Sequence, residues 1–160
     1  MKKDELVYRR IESLVLSVVW LGQLANKKML KEFGEKRGMP NFKEVHFELF
    51  GYIDPDGTTI TEIARRKGVT KQSISKTVME LIDMGFLEAR ENPQDSRSKL
   101  ISFNLRPGGG MLKGFEVLAE IDESIAADLG ASTYKTVLSS MQKIIQKLET
   151  ENPGFSIHDL

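Results

Sequence analysis

Between Thr59 and Arg90 the chain reads TITEIARRKGVTKQSISKTVMELIDMGFLEAR, and this stretch leaves few folds open. Thr59 is spaced to accept a hydrogen bond from the backbone N–H of Glu62, and the Glu62 side chain to reach back to the N–H of Thr59. That reciprocal pair is a capping box, which starts a helix. Gly68 ends the helix in a left-handed conformation with no Cβ penalty. Val69 sits in the turn, and Thr70 caps a second helix. This second helix carries Ile74, Val78, Leu81 and Ile82 on one stripe and stops at Gly85. A strand, Phe86 to Arg90, follows at once. Two short helices joined by a tight turn spell a helix-turn-helix, whose second helix is built to enter the major groove of double-stranded DNA.

The flanking sequence extends this unit on both sides. Leu100 to Phe103 is an antiparallel partner for the 86–90 strand. The loop between them, ENPQDSRSK, is polar, so the pair forms a β-hairpin wing of the kind that lies along the DNA backbone or dips into the minor groove. Upstream, DPDG at 54–57 is a turn in which Pro55 presets φ and Gly57 takes positive φ. Before it, Asn41 is placed to cap a helix carrying Phe42, Val45, Phe47, Leu49, Phe50 and Ile53. Residues 4–33 form a long helical pattern that is apolar on most of its circumference around Leu14 to Leu21. Such a helix must be buried on nearly all sides, so a subunit partner is expected to cover it. Gly34, Gly38 and Pro40 break it. Downstream, residues 111–129 read as one helix, Gly130 interrupts, and a last helix runs from Tyr134 through Leu148 and ends before Pro153. The tail, 151–160, is expected to be loosely ordered.

Composition narrows the function classes. The 160 residues contain no cysteine, which removes disulfides, thiol catalysis and cysteine-based zinc sites together. Two histidines, His46 and His158, stand far apart, so no metal site and no cofactor is expected. The longest apolar run falls well short of the roughly 20 residues that cross a membrane, and the N-terminus lacks the apolar core of a signal peptide. A cytoplasmic location is the expectation. Net charge is zero, but it is unevenly spread: residues 58–107 hold nine Lys/Arg against six Asp/Glu, while 108–160 hold four against eight. The basic excess falls on the reading unit, where phosphate binding needs it.

With the Ile74–Val78–Leu81 stripe turned inward, Gln72, Lys76, Met79 and Asp83 face outward, flanked by Ser73 and Ser75. The N-terminal residues of a reading helix reach the bases, so Gln72, Ser73 and Lys76 are the expected base or phosphate contacts, with Thr70 and Lys71 beside them and Lys71 directed to the backbone. In the wing, Arg97 is the expected minor-groove contact. Asp95 is placed to hold its guanidinium by a charge-assisted hydrogen bond, and Ser98 and Lys99 are adjacent. Arg65 and Arg66 either reach phosphates or serve the helix dipole. His46, among apolar residues, reads as a core histidine with a hydrogen-bond partner. Tyr8, Trp20, His46 and Phe50 either line a small-molecule pocket or simply pack. Gly108-Gly109-Gly110 lacks the Gly-Lys-Ser/Thr ending of a phosphate loop and is read as loosening the junction between wing and helix. No catalytic constellation stands out, and no enzyme is expected.

These residues together resemble the winged helix-turn-helix core of MarR-family transcriptional regulators. The resemblance is carried by I-A-x-x-x-G-V-T-K-Q-S, by L-x-x-x-G-F-L-E-x-R at the entry to the wing, and by D-x-R at Asp95 and Arg97. It implies a mainly α fold with a small β-hairpin wing, flanked by long N- and C-terminal dimerisation helices: an N-terminal helix in 1–40, the winged core in 41–107, and C-terminal helices in 108–150. It also implies a homodimer that binds a pseudo-palindromic operator as a repressor and is released by a small-molecule effector. A winged helix serving only as a protein–protein module is the alternative. One departure concerns the end of the wing, where Asn104, or Leu105-Arg106 after a shift, stands in place of the family's helix cap.

Overall fold

The computed structural model describes residues 12–151, which fall into two compact units, one ending at Phe42 and one starting at Lys43.

In the first unit, helix α1 spans Leu14–Arg37. It does not continue unbroken from residue 4: Ser13 is extended (φ −85°, ψ 113°), and its hydroxyl accepts from the Leu16 N–H at 3.3 Å, so it caps a new helix start. Residues 4–11 of the expected helix lie outside the described residues. The far end also differs, because α1 runs through Gly34 and closes at Gly38 in the left-handed region (φ 65°). Met29 and Phe33 are buried, and the Phe33 ring lies 4.7 Å from that of Phe42. Leu14, Val15, Val19, Trp20, Leu21 and Leu24 are all at least half exposed.

The second unit opens with α2, Glu44–Phe50. Asn41 is not its cap. Phe42 is still in the turn that closes α1, donating its N–H to the Met39 carbonyl, and the capping position falls to Lys43, whose N–H is accepted by the ring Nδ1 of His46 at 3.0 Å. Next come β1 (Thr58–Thr59), α3 (Ile60–Lys67), α4 (Lys71–Asp83), β2 (Leu87–Glu91) and β3 (Lys99–Phe103). The sheet order is β1-β3-β2, antiparallel throughout, with Thr58 opposite Ile101 and Leu87 opposite Phe103. The hairpin is where the alternation of residues places it. Strand β1 is an addition: two residues are too few to show a period of two, and their pairing depends on a partner more than forty residues away.

Ile63, Ile74, Val78, Leu81, Phe86, Leu87 and Ile101 form the buried centre of this unit. Phe50 joins it through ring contacts with Phe86 (5.9 Å) and Phe103 (5.7 Å). The core therefore backs the helix-turn-helix with the sheet, and α3 and α4 show only their outer faces.

The junction after β3 departs from both capping alternatives. Asn104 Oδ1 accepts from the Arg106 N–H in a local turn, and helix α5 (Gly110–Leu129) starts later, with Gly109 at its N-cap. The glycines there do not loosen anything. Gly110 is buried, its N–H donates to the Gly85 carbonyl at 2.9 Å, and a Cβ on it would stand 2.7 Å from Phe86 Cδ2 and 2.8 Å from the Met84 carbonyl oxygen. Gly110 permits the start of α5 to lie directly on the end of α4 and the entry to β2. Gly130 (φ 78°) then separates α5 from α6, Ala131–Glu151, which packs beside it and buries none of its residues within this chain. No helix among the described residues is long and apolar enough to cross a membrane.

Candidate nucleic-acid interface

Helix α4 starts as its sequence dictates: the Thr70 hydroxyl accepts from the Ser73 N–H at 3.2 Å. Ile74, Thr77, Val78 and Leu81 face the core, with Val78 and Leu81 wholly inaccessible. The opposite face carries Lys71, Gln72, Ser73 and Lys76, all exposed, with Ser75 half-buried at its border. Met79 and Asp83 continue this face towards the C-terminus. Thr77, buried, donates its hydroxyl to the Ser73 carbonyl. Every polar residue expected to read DNA from this helix, apart from the capping hydroxyl of Thr70, has its side chain free of intramolecular hydrogen bonds among the described residues.

Glu80 is different. Its carboxylate bonds inward, away from the exposed face. Its Oε2 lies 2.8 Å from His46 Nε2 and 3.0 Å from Lys43 Nζ. His46 is fully buried. Because its Nδ1 accepts from the Lys43 N–H, the proton of a neutral ring sits on Nε2, which donates to the Glu80 carboxylate. The bond to His46, followed by that to Lys43, holds the Glu80 carboxyl below the usual glutamate range. His46 is therefore the core histidine with a partner that its apolar neighbours suggested. A contact spanning 34 residues leaves no trace in local sequence.

On α3 the Thr59 hydroxyl accepts from the Glu62 N–H at 3.2 Å, so half of the capping box forms. The Glu62 carboxylate does not turn back. It takes Arg65 at 2.6 and 2.7 Å and Arg66 at 2.8 Å, since two guanidinium groups offer stronger charge-assisted bonds than one amide. Arg66 also grips Asp54 with both Nη atoms, at 2.6 and 2.8 Å, and Asp54 accepts from the Thr58 hydroxyl. Arg66 thus ties α3 to the 54–57 turn. Arg65 is largely exposed, so its cation remains on the surface. Lys67, in the same basic run, pairs with Glu48 at 2.7 Å.

These pairs set a pH dependence. Bonds to Arg65 and then Arg66 lower the Glu62 carboxyl to about 2, and Arg66 chiefly lowers that of Asp54. A carboxyl with a depressed folded-state pKa contributes stability that is complete above its unfolded value and is lost as pH falls through the folded one. Stability is therefore expected to decline from about pH 4.5 towards pH 2. Denaturant midpoints of Arg66→Gln across this range should fall less steeply than those of the wild type. Parallel curves would mean that the network adds no pH-linked stability.

The wing tip is built from side-chain-to-backbone bonds and one bond between side chains. Asn92 Oδ1 accepts from the Gln94 N–H, Asn92 Nδ2 donates to Ser98 Oγ at 2.8 Å, and Ser98 Oγ donates to the Asp95 carbonyl. Asp95 does hold Arg97, but through the backbone: its Oδ1 accepts from the Arg97 N–H at 3.0 Å. The guanidinium is exposed and makes no ion pair among the described residues. An amide two residues on is within reach of a short Asp side chain in a tight turn, whereas the guanidinium is free to swing outwards. Ser98 is spent on the loop. Lys99, opposite Glu91 at the start of β3, is exposed.

The residues weighed for a small-molecule pocket have separate surroundings. Tyr8 lies outside the described residues. Trp20 is half exposed on α1, His46 has both ring nitrogens occupied, and Phe50 packs in the aromatic cluster.

Comparison with known proteins matches this architecture. The MarR family model fits residues 42–98, which hold α2, the helix-turn-helix and most of the wing. The HTH-type transcriptional regulator TcaR of Staphylococcus aureus is 25% identical over 129 residues, 77% of this chain and 81% of TcaR. Two solved structures share the fold: wild-type MarR from E. coli (TM-score 0.59, 15% identity, 82% of this chain and 96% of that one), and the S. aureus MepR–DNA complex (TM-score 0.55, 16% identity, 85% and 98%). A capped helix-turn-helix, a hairpin wing built on its sheet and long helices on either side, with the family model matching residues 42–98, make the core of this chain similar to that of MarR-family transcriptional regulators.

Proposed function

We propose that this protein is a homodimeric, sequence-specific DNA-binding transcriptional regulator that acts as a repressor at a pseudo-palindromic operator. The observation that carries the reading is the outer face of α4, where Lys71, Gln72, Ser73 and Lys76 stand exposed on a helix whose opposite side is locked into the core. Side chains of these types suit base edges and phosphates, Gln pairing with adenine and Lys with guanine or the backbone. The S. aureus MepR–DNA complex supports the reading as a fold relative caught on DNA.

The dimer is supported by what the chain leaves uncovered. Leu14, Val15, Trp20, Leu21 and Leu24 on α1, Phe115 and Leu129 on α5, and Leu148 on α6 are each 44% exposed or more. Apolar surface of that extent is ordinary in a subunit interface and uncommon on a monomer. A second copy covers it and sets two α4 helices about one turn of DNA apart. Release by a small-molecule effector completes the proposal. It is tested by whether a candidate effector lowers operator affinity without dissociating the dimer.

Arg97→Ala tests the wing. Losing one phosphate or minor-groove cation per protomer should weaken duplex binding and reduce the slope of log K against log salt by about 2 for the dimer. Fluorescence anisotropy over a salt series reads both quantities. Unchanged affinity and slope would remove the wing from the interface.

A further inference from the structure

We infer that the His46–Glu80 pair is the positioning device for the recognition helix, setting the roll of α4 about its own axis and with it which bases the outer face can reach. The inference rests on the DNA-reading function proposed above and adds two residues that do not themselves face the groove.

Helix α4 is held to the rest of its unit in two ways. Its apolar side, Ile74, Val78 and Leu81, packs into the core. Apolar contact is non-directional, and a stripe of aliphatic side chains tolerates a small roll with little loss of buried area. The other hold is directional. Among the described residues, Glu80 is the only α4 side chain that hydrogen-bonds another element: it accepts from His46 Nε2 at 2.8 Å and from Lys43 Nζ at 3.0 Å. Within that pair of bonds the two arms are unequal. The Lys43 side chain is more than half exposed and swings on a flexible stem. His46 is fully buried, its ring is fixed on the other side by the Lys43 N–H at Nδ1, and it presents one proton in one direction. The imidazole is therefore the rigid arm.

The position of Glu80 suits this role. It lies four residues after Lys76, one helical turn along the same side, at the edge of the reading face. With side-chain tips about 6 Å from the helix axis, a roll of about 15° moves them by about 1.5 Å. That shift is enough to break hydrogen bonds whose heavy-atom separations span only about 0.5 Å. Phosphate attraction is long-ranged and survives such a displacement, whereas base discrimination does not. Loss of the device should thus show as lost specificity with non-specific binding retained.

The experiment compares Glu80→Ala with Glu80→Gln in the full chain. Both remove the same negative charge, but only Gln keeps an acceptor for His46 Nε2. Sites selected by the wild-type protein from a randomised duplex library serve as the specific probe, and a random duplex as the other. The readout is the ratio of the two affinities, taken on the active fraction at a temperature where circular dichroism shows each variant folded. Glu80→Ala should lower the ratio about tenfold while Glu80→Gln stays within about twofold of wild type. Equal ratios for the two variants would overturn the inference. So would a fall in Lys43→Ala as large as that in Glu80→Ala, because it would put the hold on the lysine arm. A wild-type protein that selects no site at all would instead defeat the DNA-reading function on which the inference stands.

Discussion

Replacing Gln72 and Lys76 together by alanine should weaken operator binding by about 100-fold or more while leaving the fold intact. Both side chains are exposed, and neither makes an intramolecular bond among the described residues, so their removal costs the free protein almost nothing. Each good base-edge contact contributes about 1–3 kcal/mol of discrimination, and a two-fold assembly loses each one twice. Part of the loss is ionic: one cation per protomer goes, so the salt slope should shrink, and affinity for random duplex should fall much less than affinity for the operator. Anisotropy titrations with both probes separate the two components. A double variant that binds its operator like the wild type would move the reading surface off α4.

The second large effect concerns the scaffold. Gly110→Val should destabilise the protein by about 3 kcal/mol, and Gly110→Ala by about 2 kcal/mol, because the new Cβ has nowhere to go. On one side is the Phe86 ring, on the other the Met84 carbonyl, which is backbone and cannot swing aside. Either α5 lifts from Gly85, losing the bond between the Gly110 N–H and the Gly85 carbonyl, or Phe86 leaves its buried seat. Gly22→Ala is the control: it lies inside α1 with nothing within 4 Å of the added carbon among the described residues of its own chain, and should be neutral or slightly stabilising. Denaturant midpoints at one fixed protomer concentration make the comparison, since unfolding of the proposed dimer would depend on concentration. If the Gly110 variants match the Gly22 control, the close approach is not rigid.

What was legible in the sequence follows the range of each interaction. Thr59, Gly68, Thr70 and Gly85 act on residues within one turn of themselves, so both helices of the reading unit and their turn were readable from spacing alone. The hairpin was readable because its strands are near in sequence and alternate. Distance erased the rest. Strand β1 exists only because Ile101 and Leu100 lie beside it. Glu80 looks like a surface carboxylate until His46 is brought to it across 34 residues. Gly110 looks like one glycine among three until Phe86 and Met84 close around it.

The site residues divide by the same rule. The outer face of α4 follows from 3.6 residues per turn, and Gln72, Ser73 and Lys76 stand where that period puts them. Arg66 was open between phosphate and the helix dipole, and Asp95 was expected to hold the Arg97 guanidinium; residue type does not say which partner is nearer. Asp54 and Glu62 occupy the Arg66 guanidinium, and the Arg97 amide occupies the Asp95 carboxylate. Among the described residues the Arg97 guanidinium makes no ion pair, where the expected bond to Asp95 would have given it one.

The central claim is that two copies of this chain read DNA with a two-fold pair of α4 helices. Selection of bound sites from a randomised duplex library, followed by footprinting at measured protein-to-DNA stoichiometry, tests it most directly. The account predicts two inverted half-sites with centres about one helical turn apart, roughly 10 base pairs, bound by two chains. No enriched sequence, or a single half-site bound by one chain, would contradict it.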